Sequence, residues 1–340
     1  MLGSWLDRWD ERQAAEDENK KIVEPLSVAA SLAFRELGDG AGVADLARAA
    51  NKRVASSAEL YSRPANCAYN FRFADGLLAF PSSIVTETAA NNTVYARVYE
   101  SRKRRGAVVV LPHWNAALWA YQAFSRHLRR LGFTVVEVTL PYHGWRSRPS
   151  ATFSDYFLSA NLGRTIRSVR QAVLDTSAVF DWLEARGHER LGLIGLSLGS
   201  CVGGLVAAHD SRVSASALIL TAGDFAEVVW SGRATRHIRA GLAAANMTLG
   251  ELQQVWGIIS TGTFAKLLAR PGHRSLILSG RRDRVVLPQL TARFVRELRQ
   301  AGGQCVWREL DCGHYSLAMF PFNAISFFRL CNFFAIPRMC

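Results

Sequence analysis

Leu191 to Ala208 is a run of 18 residues without a charge, and no other stretch of this 340-residue chain leaves it fewer ways to fold. A run of that length is close to the lower limit for a membrane-spanning helix. Five of its residues are glycine, at 192, 195, 199, 203 and 204, and glycine costs about 1 kcal/mol at each helix-interior position. The run is therefore read as a buried strand, a sharp turn and a buried helix, not as one helix. The turn falls on Gly195-Leu196-Ser197-Leu198-Gly199. A G-x-S-x-G match alone is weak, but placed between a buried strand and an apolar helix it has the context of a nucleophile elbow. The flanking glycines remove the Cβ atoms that would collide in so tight a turn. The serine is left at the end of the strand with its Oγ exposed.

The same alternation runs through most of the chain. NNTVYARVYE (91–100) alternates like a strand opening from an Asn turn, and GAVVVLP (106–112) and FTVVEVTLP (133–141) are continuous β-branched runs of the kind buried on both faces. Further strands are expected at 190–196, 216–222, 275–280 and 305–310. Helices are expected at 117–131, 163–186, 198–209, 288–301 and 316–334. Strands alternating with helices predict an α/β fold with a doubly wound, mostly parallel sheet. Residues 1–60 read as an N-terminal helical extension in which Trp5 and Trp9 share a face, and SRPAN (62–66) reads as a turn. Residues 61–340 form the main domain. Within it, 224–272 is too long for one crossover helix, and Thr248-x-x-Glu251 is a capping box. That stretch is expected to be a helical cap or lid insertion.

A serine hydroxyl needs an adjacent base to act as a nucleophile. After Ser197 the histidines are His209, His237, His273 and His314. Only His314, in Asp311-Cys312-Gly313-His314-Tyr315, lies between a late strand and the last helix. Asp283 leaves the preceding strand in Arg281-Arg282-Asp283-Arg284, placed to orient the imidazole and stabilise its cation; its arginine neighbours are expected to keep it ionised. Asp224 is the competing acid. Acyl chemistry also needs oxyanion donors. The expected ones are the backbone N–H of Leu198 and that of Trp114, with Asn115 second to Trp114. His113, Asn115, Tyr142, His143 and Trp145 are candidates to line a substrate pocket.

The net charge is +13, from 41 Lys and Arg against 28 Asp and Glu. Only five of the basic residues are lysine, and they accompany no nucleic-acid-binding motif, so nucleic acid is not expected as a partner. An arginine excess also suits an anionic lipid surface, which makes a peripheral membrane contact a secondary expectation. The six cysteines form no Cys-x-x-Cys pair and no zinc-ligand spacing. No metal and no cofactor is expected. The charged N-terminus lacks an apolar signal region, and the expected location is cytoplasmic.

Together LPHWN, PYHGWR, GLSLG, SGRRD and DCGHY resemble, in order and spacing, the α/β-hydrolase superfamily over residues 95–335. Within it the chain is most similar to an abhydrolase-domain-containing branch of uncertain substrate, with PHWN where lipases carry HGGG. The resemblance implies a Ser197–His314–Asp283 triad, no cofactor, and esterase, lipase or thioesterase-like cleavage of a small-molecule or lipid ester. Two alternatives stand beside it: an acyltransferase on the same fold, and a non-catalytic α/β-hydrolase-like binding module.

Overall fold

The computed structural model describes residues 2–18, 20–62, 69–103, 105–151 and 153–335. Its helices are α1 (Leu2–Glu18), α2 (Ala30–Ala33), α3 (Val43–Ala55), α4 (Ser57–Leu60), α5 (Gln122–Arg130), α6 (Leu162–Ala185), α7 (Leu198–His209), α8 (Phe225–Ser231), α9 (Arg236–Ala244), α10 (Leu249–Trp256), α11 (Ala265–Leu268), α12 (Pro288–Gln300) and α13 (Phe322–Ala335). Its strands are β1 (Arg72–Ala74), β2 (Leu77–Pro81), β3 (Thr93–Tyr99), β4 (Gly106–Leu111), β5 (Phe133–Val138), β6 (Leu191–Leu196), β7 (Val213–Ile219), β8 (Arg274–Gly280) and β9 (Gln304–Leu310). No helix among the described residues is long and apolar enough to cross a membrane.

The strands form one sheet in the order β1-β2-β3-β5-β4-β6-β7-β8-β9. From β5 to β9 every pairing is parallel, and β1, β2 and β3 add an antiparallel edge. Every residue of β4 and β5 is buried, because side chains alternate across a strand and both faces are covered. Val109, Leu111 and Val136 face a core shared with α6 and α7. Val108, Val110 and Val135 face a second core closed by α13 through Leu330, Phe333 and Phe334. β9, at the free edge, alternates exposed and half-buried positions instead.

The uncharged run divides into β6 and α7 around Ser197. Four elements differ from their sequence expectation by three residues or more, among them β5, which stops at Val138 and not at 141. α5 begins at Gln122 and not at 117, because 114–121 is a string of turns with Asn115 and Trp119 at positive φ. β7 starts and ends three residues earlier than 216–222. The closing helix starts after Pro321, with only a short 3-10 turn at Ser316–Ala318 before it. In α1 the buried stripe is Leu6, Asp10 and Ala14, one turn apart, while Trp5 is 44% exposed; the tryptophan pair is not its packing face. Positions 63–66 of the expected SRPAN turn lie outside the described residues.

Segment 224–272 is helical, and the box of α10 closes both ways: Glu251 N–H donates to Thr248 Oγ1 at 3.2 Å and Thr248 N–H to Glu251 Oε2 at 2.8 Å. α10 packs on α3 and α8, and the wholly buried Trp256 donates its Nε1–H to the Leu162 carbonyl at 3.3 Å.

A buried ion pair holds the loop after β5. Arg146 and Asp175 are 0% and 1% exposed and 2.7 Å apart. Arg146 also donates to the carbonyls of Asn91 and Thr139, and Ser82 donates to Asp175. Breaking a buried pair by removing one partner leaves the other charge unmatched, at a cost of about 3–5 kcal/mol. Arg146→Ala is expected to lower the unfolding free energy by that amount in urea titration, whereas Arg146→Met with Asp175→Leu loses much less.

Candidate active site

The elbow is built by backbone packed on backbone. Ser197 sits at φ 50°, ψ −115°, a region a non-glycine residue occupies only when its surroundings force it. Its N–H is tied to the Ile219 carbonyl of β7 at 2.9 Å, and its own carbonyl accepts the Ser200 hydroxyl at 2.6 Å. A Cβ on Gly195 would run into the Gly199 backbone, and one on Gly199 into the carbonyls of Leu111 and Pro112. Both glycines are therefore needed for α7 to start so close to β6 and β4.

Two loops from the same end of the sheet reach this serine. His314 Nε2 lies 3.0 Å from Ser197 Oγ, and His314 Nδ1 lies 2.8 Å from Asp283 Oδ2. Those partners assign the proton to Nδ1 and leave Nε2 free to accept the Ser197 hydroxyl proton. Asp283 is 3% exposed, and its other oxygen accepts the N–H groups of Val285 at 2.7 Å and Val286 at 2.9 Å. The flanking arginines do not attend it as expected. Arg281 pairs with Glu309, Arg282 with Asp311 and Asp7, and Arg284 with Glu11. Two peptide N–H groups and the imidazole take their place. The competitor Asp224 is the N-cap of α8, accepting from Glu227 N–H at 2.9 Å and Gln253 Nε2 at 2.6 Å.

The loop after β4 forms the opposite wall. The Asn115 N–H donates to His143 Nε2 at 3.2 Å, while His143 Nδ1–H donates to the Pro141 carbonyl at 2.8 Å. The Asn115 N–H is thereby occupied, whereas those of Leu198 and Trp114 have no acceptor among the described residues. Trp114 is fixed by its Nε1–H on the Ser154 carbonyl at 3.0 Å, stacks on His237 and carries the Lys21 ammonium 4.5 Å from its ring centroid. His113 bonds through Nδ1 to the Tyr121 hydroxyl. Tyr142 is 1% exposed, its hydroxyl accepting from Arg167 at 3.3 Å and its ring edge-on to Tyr156. Trp145 is 49% exposed and lies edge-on to Trp119 and Tyr95. Among the described residues no group of three or more His, Cys, Asp or Glu is placed to hold a metal ion. A cavity of about 360 Å³ lies at the opposite end of the sheet, lined by Phe133, Arg190, Arg274 and Phe334, and touches none of these residues.

No family model matches the chain. It is similar to two uncharacterized proteins of Mycobacterium tuberculosis (strains CDC 1551 / Oshkosh and H37Rv), each 27% identical over 206 residues, 59% of this chain. That match spans 48% of each relative, about half its length. Among solved structures it resembles acetyl xylan esterase 1 from Thermoanaerobacterium sp. JW/SL YS485, with a TM-score of 0.62 and 14% identity, covering 86% of this chain and 99% of that one. The chain has the α/β-hydrolase fold. An acetyl xylan esterase from Paenibacillus sp. R4 superposes with a TM-score of 0.60 at 12% identity, covering 85% and 94% of the two chains. Acylaminoacyl peptidase of Pyrococcus horikoshii gives 0.58 at 12% identity over 78% of this chain and 41% of that one.

Sequence reasoning missed what lies behind the α/β-hydrolase elements. Asp10, from α1, meets the histidine loop, and Lys21 packs on Trp114. The signal available was charge: α1 holds six acidic side chains against two arginines, in a chain whose net charge is +13.

Burial pushes His113, His143, His237 and His273 down to about 4. His273 shows why: its Nδ1–H is spent on the Leu268 carbonyl at 2.8 Å, and Nε2 is buried with no partner among the described residues for an added proton. An unfolded histidine titrates near ~6.5, so between pH ~6.5 and ~4 the unfolded chain binds more protons than the folded one. The stability is fully present above that window and is lost as pH falls through it, by up to about 1.4 kcal/mol per pH unit for each histidine. Melting temperature is expected to drop steadily from pH 7 to 4.5, and His273→Asn is expected to flatten the slope by about one proton.

Proposed function

We propose that the protein is a serine hydrolase that cleaves a carboxylic ester through an acyl-enzyme. The observation that carries this reading is the unbroken relay Ser197 Oγ–His314 Nε2, His314 Nδ1–Asp283 Oδ2, at 3.0 and 2.8 Å, on a serine held in a strained turn. In this mechanism Ser197 Oγ attacks the acyl carbonyl carbon as its proton passes to His314 Nε2. Asp283 holds the ring in the right tautomer and stabilises the imidazolium. The carbonyl oxygen, now negative, is met by the N–H groups of Leu198 and Trp114, fixed before the charge develops. His314 then gives its proton to the leaving alkoxide. Water, deprotonated by the same nitrogen, attacks the acyl-enzyme, and His314 Nε2 passes that proton to Ser197 Oγ as the acid leaves.

Support for an ester comes from the nucleophile: an oxygen activated by a neutral imidazole, with no carboxylate at the elbow. Two of the solved structures with this fold are acetyl xylan esterases by name, which makes short acyl esters the first substrates to try. Among the described residues the histidine hydrogen-bonded to Ser197 Oγ is His314, at 3.0 Å, so His314 is the base this reading requires.

A fluorophosphonate probe is expected to label the wild type at Ser197, and Ser197→Ala to abolish both labelling and hydrolysis of p-nitrophenyl acetate. His314→Gln is expected to lower kcat by about 10⁴-fold or more. A folded wild-type protein that neither takes the probe nor turns over any p-nitrophenyl ester, from acetate upward, contradicts the proposal.

A further inference from the structure

The loop that carries His314 is tied on both sides to a carboxylate from the far end of the chain. Asp10 Oδ1 accepts the Tyr315 N–H at 2.7 Å and the Ser316 N–H at 3.2 Å, and Asp10 Oδ2 accepts the Ser316 hydroxyl at 2.5 Å. The Ser316 oxygen in turn accepts the Gly313 N–H at 2.8 Å. The chain is thus anchored on both sides of His314, the His314–Tyr315 peptide directly and the Cys312–Gly313 peptide through Ser316. A Cβ at Gly313 would enter the Asp10 carboxylate, so glycine there is what lets the helix approach.

We propose that Asp10 is a positioning residue: by fixing the backbone around His314 it keeps the imidazole within reach of Ser197. The inference rests on the hydrolase reading and extends it to α1. Asp10 is 6% exposed, and among the described residues no lysine or arginine pairs with it. A carboxylate in that state is costly unless its donors are well placed, and all three of its donors belong to the two residues after His314. The helix is seated independently of them. Leu6 and Ala14, one turn away on either side, are 3% and 2% exposed. Asp7 pairs with Arg282 at 3.2 Å, and Glu11 pairs with Arg284 at 3.4 Å and Arg233 at 2.7 Å. Arg282 and Arg284 flank Asp283, so one helix grips the acid loop by ion pairs and the histidine loop by Asp10. Asp283 sets the tautomer of the ring, and Asp10 sets where the ring stands.

The test compares Asp10→Ala, Asp10→Asn and Ser316→Ala with the wild type and Ser197→Ala in the full chain. The readouts are kcat and KM on p-nitrophenyl acetate, the rate of fluorophosphonate labelling, and melting temperature. A displacement of about 1 Å in a reacting group costs on the order of a hundredfold. Asp10→Ala is expected to lower kcat and labelling rate by that factor, with KM within about threefold. Asp10→Asn is expected to recover most of the loss, since its amide oxygen still accepts both N–H groups. Should Asp10→Ala fail to fold, Asp10→Asn and Ser316→Ala carry the test, with Ser316→Ala the more damaging. Ser197-dependent turnover in Asp10→Ala within threefold of wild type overturns this proposal alone, as does a loss confined to KM or shared equally by Asp10→Asn. Wild-type turnover that is indifferent to Ser197→Ala overturns the hydrolase reading and this inference with it.

Discussion

One close approach sets the geometry of everything around it: the start of α7 lies against the ends of β4 and β6 with no side chain between. The Gly199 Cα faces the Leu111 and Pro112 carbonyls, and the Gly195 Cα faces Gly199. That contact forces the intervening residue into a left-handed turn, and the residue there is Ser197 at φ 50°. The strain is held by the sheet, because the Ser197 N–H is bonded to β7 and its carbonyl to the first turn of α7. A serine in relaxed backbone would lose its outward aim. Rotation of its side chain would then have to be frozen by other contacts, which cost side-chain entropy.

A fixed hydroxyl is of use only if its partners are fixed as well, and they ride on loops. Each loop is held by a different kind of interaction. The acid loop folds back on itself, the Asp283 carboxylate accepting two N–H groups two and three residues on. The loop after β4 is held by His143, which is kept neutral by burial so that its Nε2 can accept an N–H. The His143 carbonyl accepts the Arg146 N–H at 2.8 Å, and the Arg146 side chain is held by Asp175. The histidine loop has neither device. Its anchor is a carboxylate brought by α1.

The parts written in contiguous residues were legible in the sequence. The β-branched runs gave the central strands, the five glycines ruled out one long helix, and the capping box of α10 was there to read at Thr248 and Glu251. Ser197, His314 and Asp283 could be picked because each follows a strand in a sheet whose strand ends share one rim. Element boundaries were less legible where a turn overrode periodicity: Leu118 has helical spacing to Tyr121, yet it lies in a turn and faces Gly144. The arginines around Asp283 misled because sequence adjacency says nothing of direction; their guanidinium groups point to α1 and to the edge of β9. The charge contrast marked α1 as a whole, but nothing singled out Asp10 within it, since its partners are about 300 positions away.

That last case bears on what an N-terminal extension is for. By itself α1 is a strongly charged helix with six acidic residues and two arginines, too polar to fold alone and poorly matched to a hydrophobic core. The rest of the chain supplies its opposite. With α1 carrying four negative charges net, the other residues carry more than the chain's +13. Arg233, Arg282 and Arg284 stand where the cap segment and the acid loop meet. Ion pairs at a surface contribute little each, but several converging on one helix with a buried Leu6–Asp10–Ala14 stripe define its register. Register is what matters, because a slip of one residue would turn Asp10 through about 100° of helix rotation and away from the histidine loop. The ion pairs select the position, and the buried carboxylate uses it.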